Sequence, residues 1–279
     1  PRPSKWAVSS MASVHKGKAV VMPRTTAAAD TWRSANPVTA PVPAAPAQAA
    51  PDADCEVKLY AVAVPAAMVD LALDAACKPE AQFTVHHNGM MVSGITDSEG
   101  LSSLSVPALS ETSLFIVSFA SGGSAVASVS VPELAEYDRA VVQWSGASGF
   151  QIHALEYGAD YNQPGHVWED ATHDAARALS GEGGFLTLLG DPGLLEPHLA
   201  QVYTFPSRNV QRDGEIDLSL EAIVTEATFG RDVAAQVLQK TGDDRMVVRE
   251  LSLAMPDCEA VGDFLVLKNM FDNLNIARN

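Results

Sequence analysis

Between Gln151 and Asp174 the chain concentrates side chains that bind metals or move protons: His153, Glu156, Asp160, Asn162, His166, Glu169, Asp170, His173 and Asp174. Imidazole nitrogen and carboxylate oxygen are the donors that zinc takes, and two His-x-x-Glu pairs occur, His153/Glu156 and His166/Glu169. On a helix that spacing would place both donors on one face. Residues 150–158 read as a strand, where positions 153 and 156 point to opposite sides, so the strict motif fails. His153 and His166 remain free to converge across a hairpin. The cluster therefore supports two readings, a divalent-metal centre drawn from His153, Glu156, His166 and Glu169, or polar side chains that cap turns and face solvent. The second is adopted here, with no cofactor expected.

Other chemistries find less material. No serine stands in a Gly-x-Ser-x-Gly elbow, and neither a Gly-x4-Gly-Lys-Ser/Thr loop nor a Gly-x-Gly-x-x-Gly turn occurs, which removes the common nucleotide-binding folds. Cys258 lies between Asp257 and Glu259, acids that discourage a thiolate, and reads as a buried structural thiol. His86 and His87 must split between the two faces of a strand and are expected as a surface pair. Asp213, Glu215 and Asp217 alternate on one strand face, where they either chelate calcium or form a solvated acidic edge that discourages aggregation.

These groups need a frame, and the cysteines suggest one. Glu56 to Val64 and Val69 to Asp74 alternate with a two-residue period around Pro65-Ala66-Ala67-Met68. A turn centred between Ala66 and Ala67 makes facing residues sum to about 133. Cys55 and Cys77 fall almost opposite each other, close enough for a disulfide worth about 3 kcal/mol, with Cys258 left free. Such a staple belongs to an oxidising compartment, periplasmic or extracellular.

Further short strands are expected at 82–87, 90–95, 102–106, 113–119 and 125–131, punctuated by His87-Asn88-Gly89, Thr96 to Gly100 and Ser121-Gly122-Gly123. Arg139–Trp144 and Phe150–Gly158 read as a hairpin around Ser145 to Gly149, followed by strands at 199–205, 214–224, 245–254 and 262–269. Helices are expected at Ala171–Leu179, capped by Asp170 or Thr172, and at Asp232–Lys240. The fold class is mainly β, with two antiparallel β-sandwich-like domains, 54–138 and 139–279, after an extended N-terminal arm.

The arm is chemically distinct. Residues 1–50 carry Arg2, Lys5, Lys16, Lys18, Arg24 and Arg33 against the single acid Asp30, whereas the whole chain has a formal charge of −16, so the remainder holds 12 bases against 33 acids. That body repels nucleic acid and anionic lipid. Residues 37–53 are rich in Pro and Ala and form a polyproline-like spacer. Ahead of it, 1–36 reads as a partner-binding arm, with Trp6 and Trp32 as anchors and Lys16, Lys18, Arg24 and Arg33 as charges. No run of eighteen apolar residues spans a bilayer. The initial Pro1 implies removal of an upstream signal peptide or anchor, or a native start at Met11; the former is favoured.

Two resemblances follow from particular residues. The Pro65-Ala66-Ala67-Met68 turn, the Val69-x-Leu71-x-Leu73 strand, Asn88-Gly89, and Asp97-x-x-Gly100 ahead of Val106-Pro107-Ala108-Leu109 resemble the prealbumin-like (carboxypeptidase-regulatory-like) sandwich modules over residues 55–109. That resemblance implies a structural or binding domain. The stretches His153-Ala154-Leu155-Glu156-Tyr157-Gly158-Ala159, Gly165-His166-Val167-Trp168 and Gly262-Asp263-Phe264-Leu265-Val266-Leu267-Lys268-Asn269 look like an uncharacterised family of bacterial envelope proteins sometimes labelled "translocase". The combined expectation is a non-enzymatic, exported structural or assembly protein that binds a protein partner or itself. A metal-dependent enzyme or metal-binding domain on the 151–174 cluster and a carbohydrate-binding module are the alternatives.

Overall fold

The structure, a computed structural model, describes residues 56–241 and 245–277. Cys55 and the arm residues Trp6, Lys16, Lys18, Arg24, Trp32 and Arg33 lie outside them, as does the 37–53 spacer.

The first half supplies β1 (Lys58–Val64), β2 (Met68–Asp74), β3 (Gln82–His87), β4 (Met90–Ile95), β5 (Leu101–Pro107), β6 (Thr112–Phe119) and β7 (Ser124–Ser130). They form two antiparallel sheets, ordered β1-β2-β5 and β4-β3-β6-β7. Side-chain alternation decides what each sheet buries: Val69, Leu71 and Leu73 of β2, and Phe115, Val117 and Phe119 of β6, enter a common core, while Asp70, Leu114 and Ile116 stay outside. Each such large apolar side chain contributes about 2 kcal/mol by leaving water.

The β1–β2 ladder runs from Lys58 opposite Asp74 to Val64 opposite Met68, so partners sum to 132, one residue tighter than expected. Ala66 and Ala67 take positive φ, 64° and 53°, a region that costs a residue with a Cβ about 1 kcal/mol each. Arg139 holds this turn from the second half of the chain. Its fully buried guanidinium donates to Ala66 O (3.1 Å), Ala67 O (2.8 Å) and Ala108 O (3.2 Å), and to Thr204 Oγ1.

The second half supplies β8 (Asp138–Ser145), β9 (Phe150–Glu156), β10 (His166–Val167), the helix α1 (Ala175–Leu179), β11 (Phe185–Leu189), β12 (His198–Phe205), β13 (Gly214–Ile223), β14 (Asp232–Lys240), β15 (Val247–Ala254), β16 (Phe264–Leu267) and β17 (Leu274–Ile276). A third sheet is ordered β11-β12-β8-β14-β15 and a fourth β10-β9-β13-β16, with β17 also paired to β13.

Three expectations change here. β8 and β9 do not pair as a hairpin: β8 lies between β12 and β14, and β9 between β10 and β13, so Ser145 to Gly149 crosses from one sheet to the other. The reason lies in β8, which is buried on both faces. Val141 enters the first core with Val202 and Leu238, while Ala140 and Val142 enter a second core with Phe150, Ile152 and Leu220. The third sheet is thus a shared layer, and Val-Val reads as a run because neither side faces water. Asp232–Lys240, composed of residues that tolerate a helix, is strand β14, since pairing with β8 and β15 on its two sides overrides propensity. The helix near 171–179 is only α1, started by Asp174 accepting from Ala176 N–H at 2.9 Å. The described residues fall within one compact unit.

Candidate functional site

β9, β10 and β13 bring the polar cluster together. On the outer face of the fourth sheet His153 of β9 stands opposite Ser219 of β13, His166 of β10 stands opposite Leu155, and Glu221 lies one face-neighbour from Ser219. The 157–165 segment folds back over this face. Glu156 N–H donates to Gly165 O at 2.9 Å and closes its neck. A Cβ at Gly165 would meet the Glu156 carbonyl oxygen at 2.9 Å and the Ala159 Cβ at 2.8 Å, so the neck requires glycine.

The hydrogen bonds in this cluster have a direction, and a backbone amide sets it. Asn162 N–H donates to His166 Nδ1 (3.1 Å), so that nitrogen carries a lone pair and Nε2 carries the proton. His166 Nε2–H then donates to His153 Nδ1 at 2.8 Å, which leaves His153 protonated on Nε2 and facing Glu221 Oε2 at 3.4 Å, longer than a good bond. Tyr161 O–H donates to the other Glu221 oxygen at 2.5 Å. Trp168 stacks on both imidazoles, with ring centroids 5.4 Å from His153 and 5.3 Å from His166, and Tyr161 lies 4.9 Å from His166.

Burial pushes His153 down to about 4, helped by His166, and lowers His166 as well. Both rings are therefore neutral at pH 7. Burial raises Glu221, opposed by the Tyr161 hydrogen bond, and raises Tyr161 to about 12 with Glu221 adding to the effect.

Of the four sequence-derived metal candidates, His153 and His166 meet and the two carboxylates do not join them. Glu156 points to the opposite face of β9, where it accepts from Gly184 N–H (2.7 Å), Tyr203 O–H (2.8 Å) and Arg177 Nη2 (2.6 Å). Glu169 accepts from Gln151 (2.8 Å) and Gln201 (3.2 Å). In both imidazoles the lone pair is occupied, by the Asn162 amide in one and by His166 in the other, so neither presents a free donor to a cation. No group of three or more His, Cys, Asp or Glu side chains suited to a metal occurs among the described residues. Replacing His153 and His166 together by Gln is expected to leave metal content by elemental analysis unchanged and to cost stability, about 1 kcal/mol for each lost hydrogen bond.

Elsewhere, Cys258 is free but exposed rather than buried. His87 is buried, not a surface ring, because β3 turns it inward between Leu114 O and Leu109 N, while His86 faces outward. Glu215 and Asp217 share the Asn273 side-chain amide at 3.0 and 2.5 Å. Local sequence gave no sign of Glu221, Tyr161 or Trp168 as members of the site, since Glu221 joins through strand pairing from 68 residues beyond His153. No family model matches this chain, and no curated protein matches it either.

Proposed function

We propose that this is a non-enzymatic, exported structural or assembly protein of a bacterial envelope or cell surface, acting through contacts with a protein partner or with its own copies. The observation that carries the reading is the state of the outermost strands in the second half. Among the described residues β15 pairs only with β14, and β16 lies outermost on β13 with Phe264 50% and Val266 42% exposed, beside exposed Val261. An outer strand bearing exposed apolar side chains is a template for another chain. The basic 1–36 segment adds charge complementary to the acidic body of a neighbouring copy. No helix among the described residues is long and apolar enough to cross a membrane.

Sedimentation of the full chain at low and high salt tests this reading. Association is expected to weaken with salt and with deletion of residues 1–50, and to weaken in a Phe264→Asp, Val266→Asp variant whose melting temperature is unchanged. Monomers throughout, with no partner recovered by cross-linking, would overturn it.

Export rests on the cysteines. The β1–β2 partners sum to 132, the sum of 55 and 77; β2 itself ends at Asp74, and Lys78 N–H donates to Ala75 O at 2.7 Å in a turn that holds Cys77. Non-reducing peptide mapping is expected to find Cys55 linked to Cys77 and Cys258 free. A Cys55–Cys258 link would remove the argument.

A second reading, carbohydrate binding, draws on Tyr60. It is 56% exposed on the outer face of the first sheet, beside an open groove of about 620 Å³ that Asp74, Asp97, Ser102 and Ser103 also line. An exposed ring and carboxylates suit the faces and hydroxyls of sugars. Glycan binding abolished by Tyr60→Ala would favour it.

A further inference from the structure

We propose that His153 and His166 form an acid-released latch: while both imidazoles are neutral they hold the 157–165 loop against the outer face of the fourth sheet, and one added proton frees the loop tip. The proposal stands apart from the assembly reading, because it concerns how the loop is held and not what the protein binds.

The loop tip is fixed through two consecutive residues. Tyr161 places its hydroxyl on Glu221, and Asn162, at φ 63°, places its amide on His166 Nδ1. Every link in the row Asn162–His166–His153 uses one N–H and one lone pair. An added proton has only two nitrogens to take. On His166 Nδ1 it would face the Asn162 amide, donor against donor. On His153 Nδ1 it would face His166 Nε2–H in the same way. Either site converts an attractive contact in a buried setting into a repulsive one, and a buried donor without an acceptor is costly.

The charged groups on the elements packed against the pair do not relieve this conflict. Glu221 on β13 favours an imidazolium at His153, but it sits on the Nε2 side, whose proton is already in place. Asp217, also on β13, is taken up by Asn273, and Glu169 beyond β10 by Gln151 and Gln201. Asp160 belongs to the loop itself and moves with it. Burial disfavours the charged rings further. The proton is therefore accommodated by letting the tip leave, which opens His166 to water.

The neck stays closed during this motion. Glu156 N–H to Gly165 O and Tyr157 N–H to Glu215 O, both 2.9 Å, involve no titrating group, and Arg212 covers the Tyr157 ring at 3.9 Å. Release would uncover Ser219, Glu221 and His153, next to Val266, which pairs with Glu221 and is already exposed.

The test is amide hydrogen exchange of the full chain at pH 7.5 and 5.0, each corrected for intrinsic rate. Protection at residues 161–163 is expected to fall about tenfold or more at pH 5.0, with β8 and β12 changing far less. In His166→Gln, where a proton can still reach His153 but the Gln amide oxygen can accept it without disturbing the Asn162 contact, protection in the loop is expected to be equal at the two pH values. Should that variant fold poorly, ¹⁵N imidazole shifts of the unaltered protein decide instead, with Nε2–H tautomers expected for both rings at pH 7.5. Equal loop protection at the two pH values in the unaltered protein, persistent acid opening in His166→Gln, or Nδ1–H tautomers would each overturn the latch.

Discussion

Replacing Arg139 by Met is expected to destabilise the protein by about 4 kcal/mol or more, one of the largest single-residue effects in the chain. The guanidinium lies wholly inside, stacked 5.7 Å from the Tyr137 ring, and burial lowers it only to about 9, so it is charged at neutral pH. Three backbone carbonyls, those of Ala66, Ala67 and Ala108, accept from it, and of these Ala67 O has a second donor in the Ala108 N–H at 3.0 Å. Methionine fills similar space and supplies none. Two of those carbonyls belong to residues in left-handed backbone, so the turn loses its support where it is already strained. Urea unfolding measures the loss. Arg139→Lys keeps the charge but offers one nitrogen in place of a fork, and should fall between the two. If Met costs under about 1 kcal/mol, the carbonyl cage is not what holds the turn.

Acid should weaken the fold well above the range where carboxylates titrate. His87 is 2% exposed, donates Nδ1–H to Leu114 O and accepts from Leu109 N–H, both at 2.9 Å, and stacks on Phe115 at 4.1 Å. Burial pushes it from 6.5 to about 4; the Leu114 bond opposes this and the Arg139 charge adds to it. His153 is lowered to about 4 as well. Both folded values are depressed, so between pH 6.5 and 4 the unfolded chain binds more protons than the folded one. Their contribution is whole above 6.5, shrinks as pH falls through that window, and levels off below 4. Each ring contributes about 3 kcal/mol over the whole window, of which about 2 is gone at pH 5. Urea unfolding at pH 7.5 and 5.0 should differ by about 4 kcal/mol in the unaltered protein and by about half of that in His87→Gln. An undiminished difference in that variant would remove His87 from the account.

The cysteine arithmetic and the latch meet the same boundary between what is local and what is not. In the first half, turns of known chemistry separate short alternating strands, and the expected positions 82–87 and 90–95 are those of β3 and β4, with the others within a few residues. Local alternation suffices there because most of these strands keep one core face and one wetter face, β4 with its buried neighbours Val92 and Ser93 excepted. Residues 138–145 defeat that logic, since β8 has no wet face and its pattern carries no information about which strand lies beside it.

The candidate site divides in the same way. The residues alone imply that His153 and Glu156 cannot act together, because a strand sends them to opposite faces, and that His153 and His166 are free to converge across a hairpin. That they meet nitrogen to nitrogen, under Tyr161 and beside Glu221, with a backbone amide dictating which nitrogens carry protons, comes from the pairing of distant strands and the folded-back loop. The difference is one of range. Face and period are properties of a single strand, whereas a proton's position is set by whichever donor the fold brings within 3 Å, and no local pattern records that neighbour.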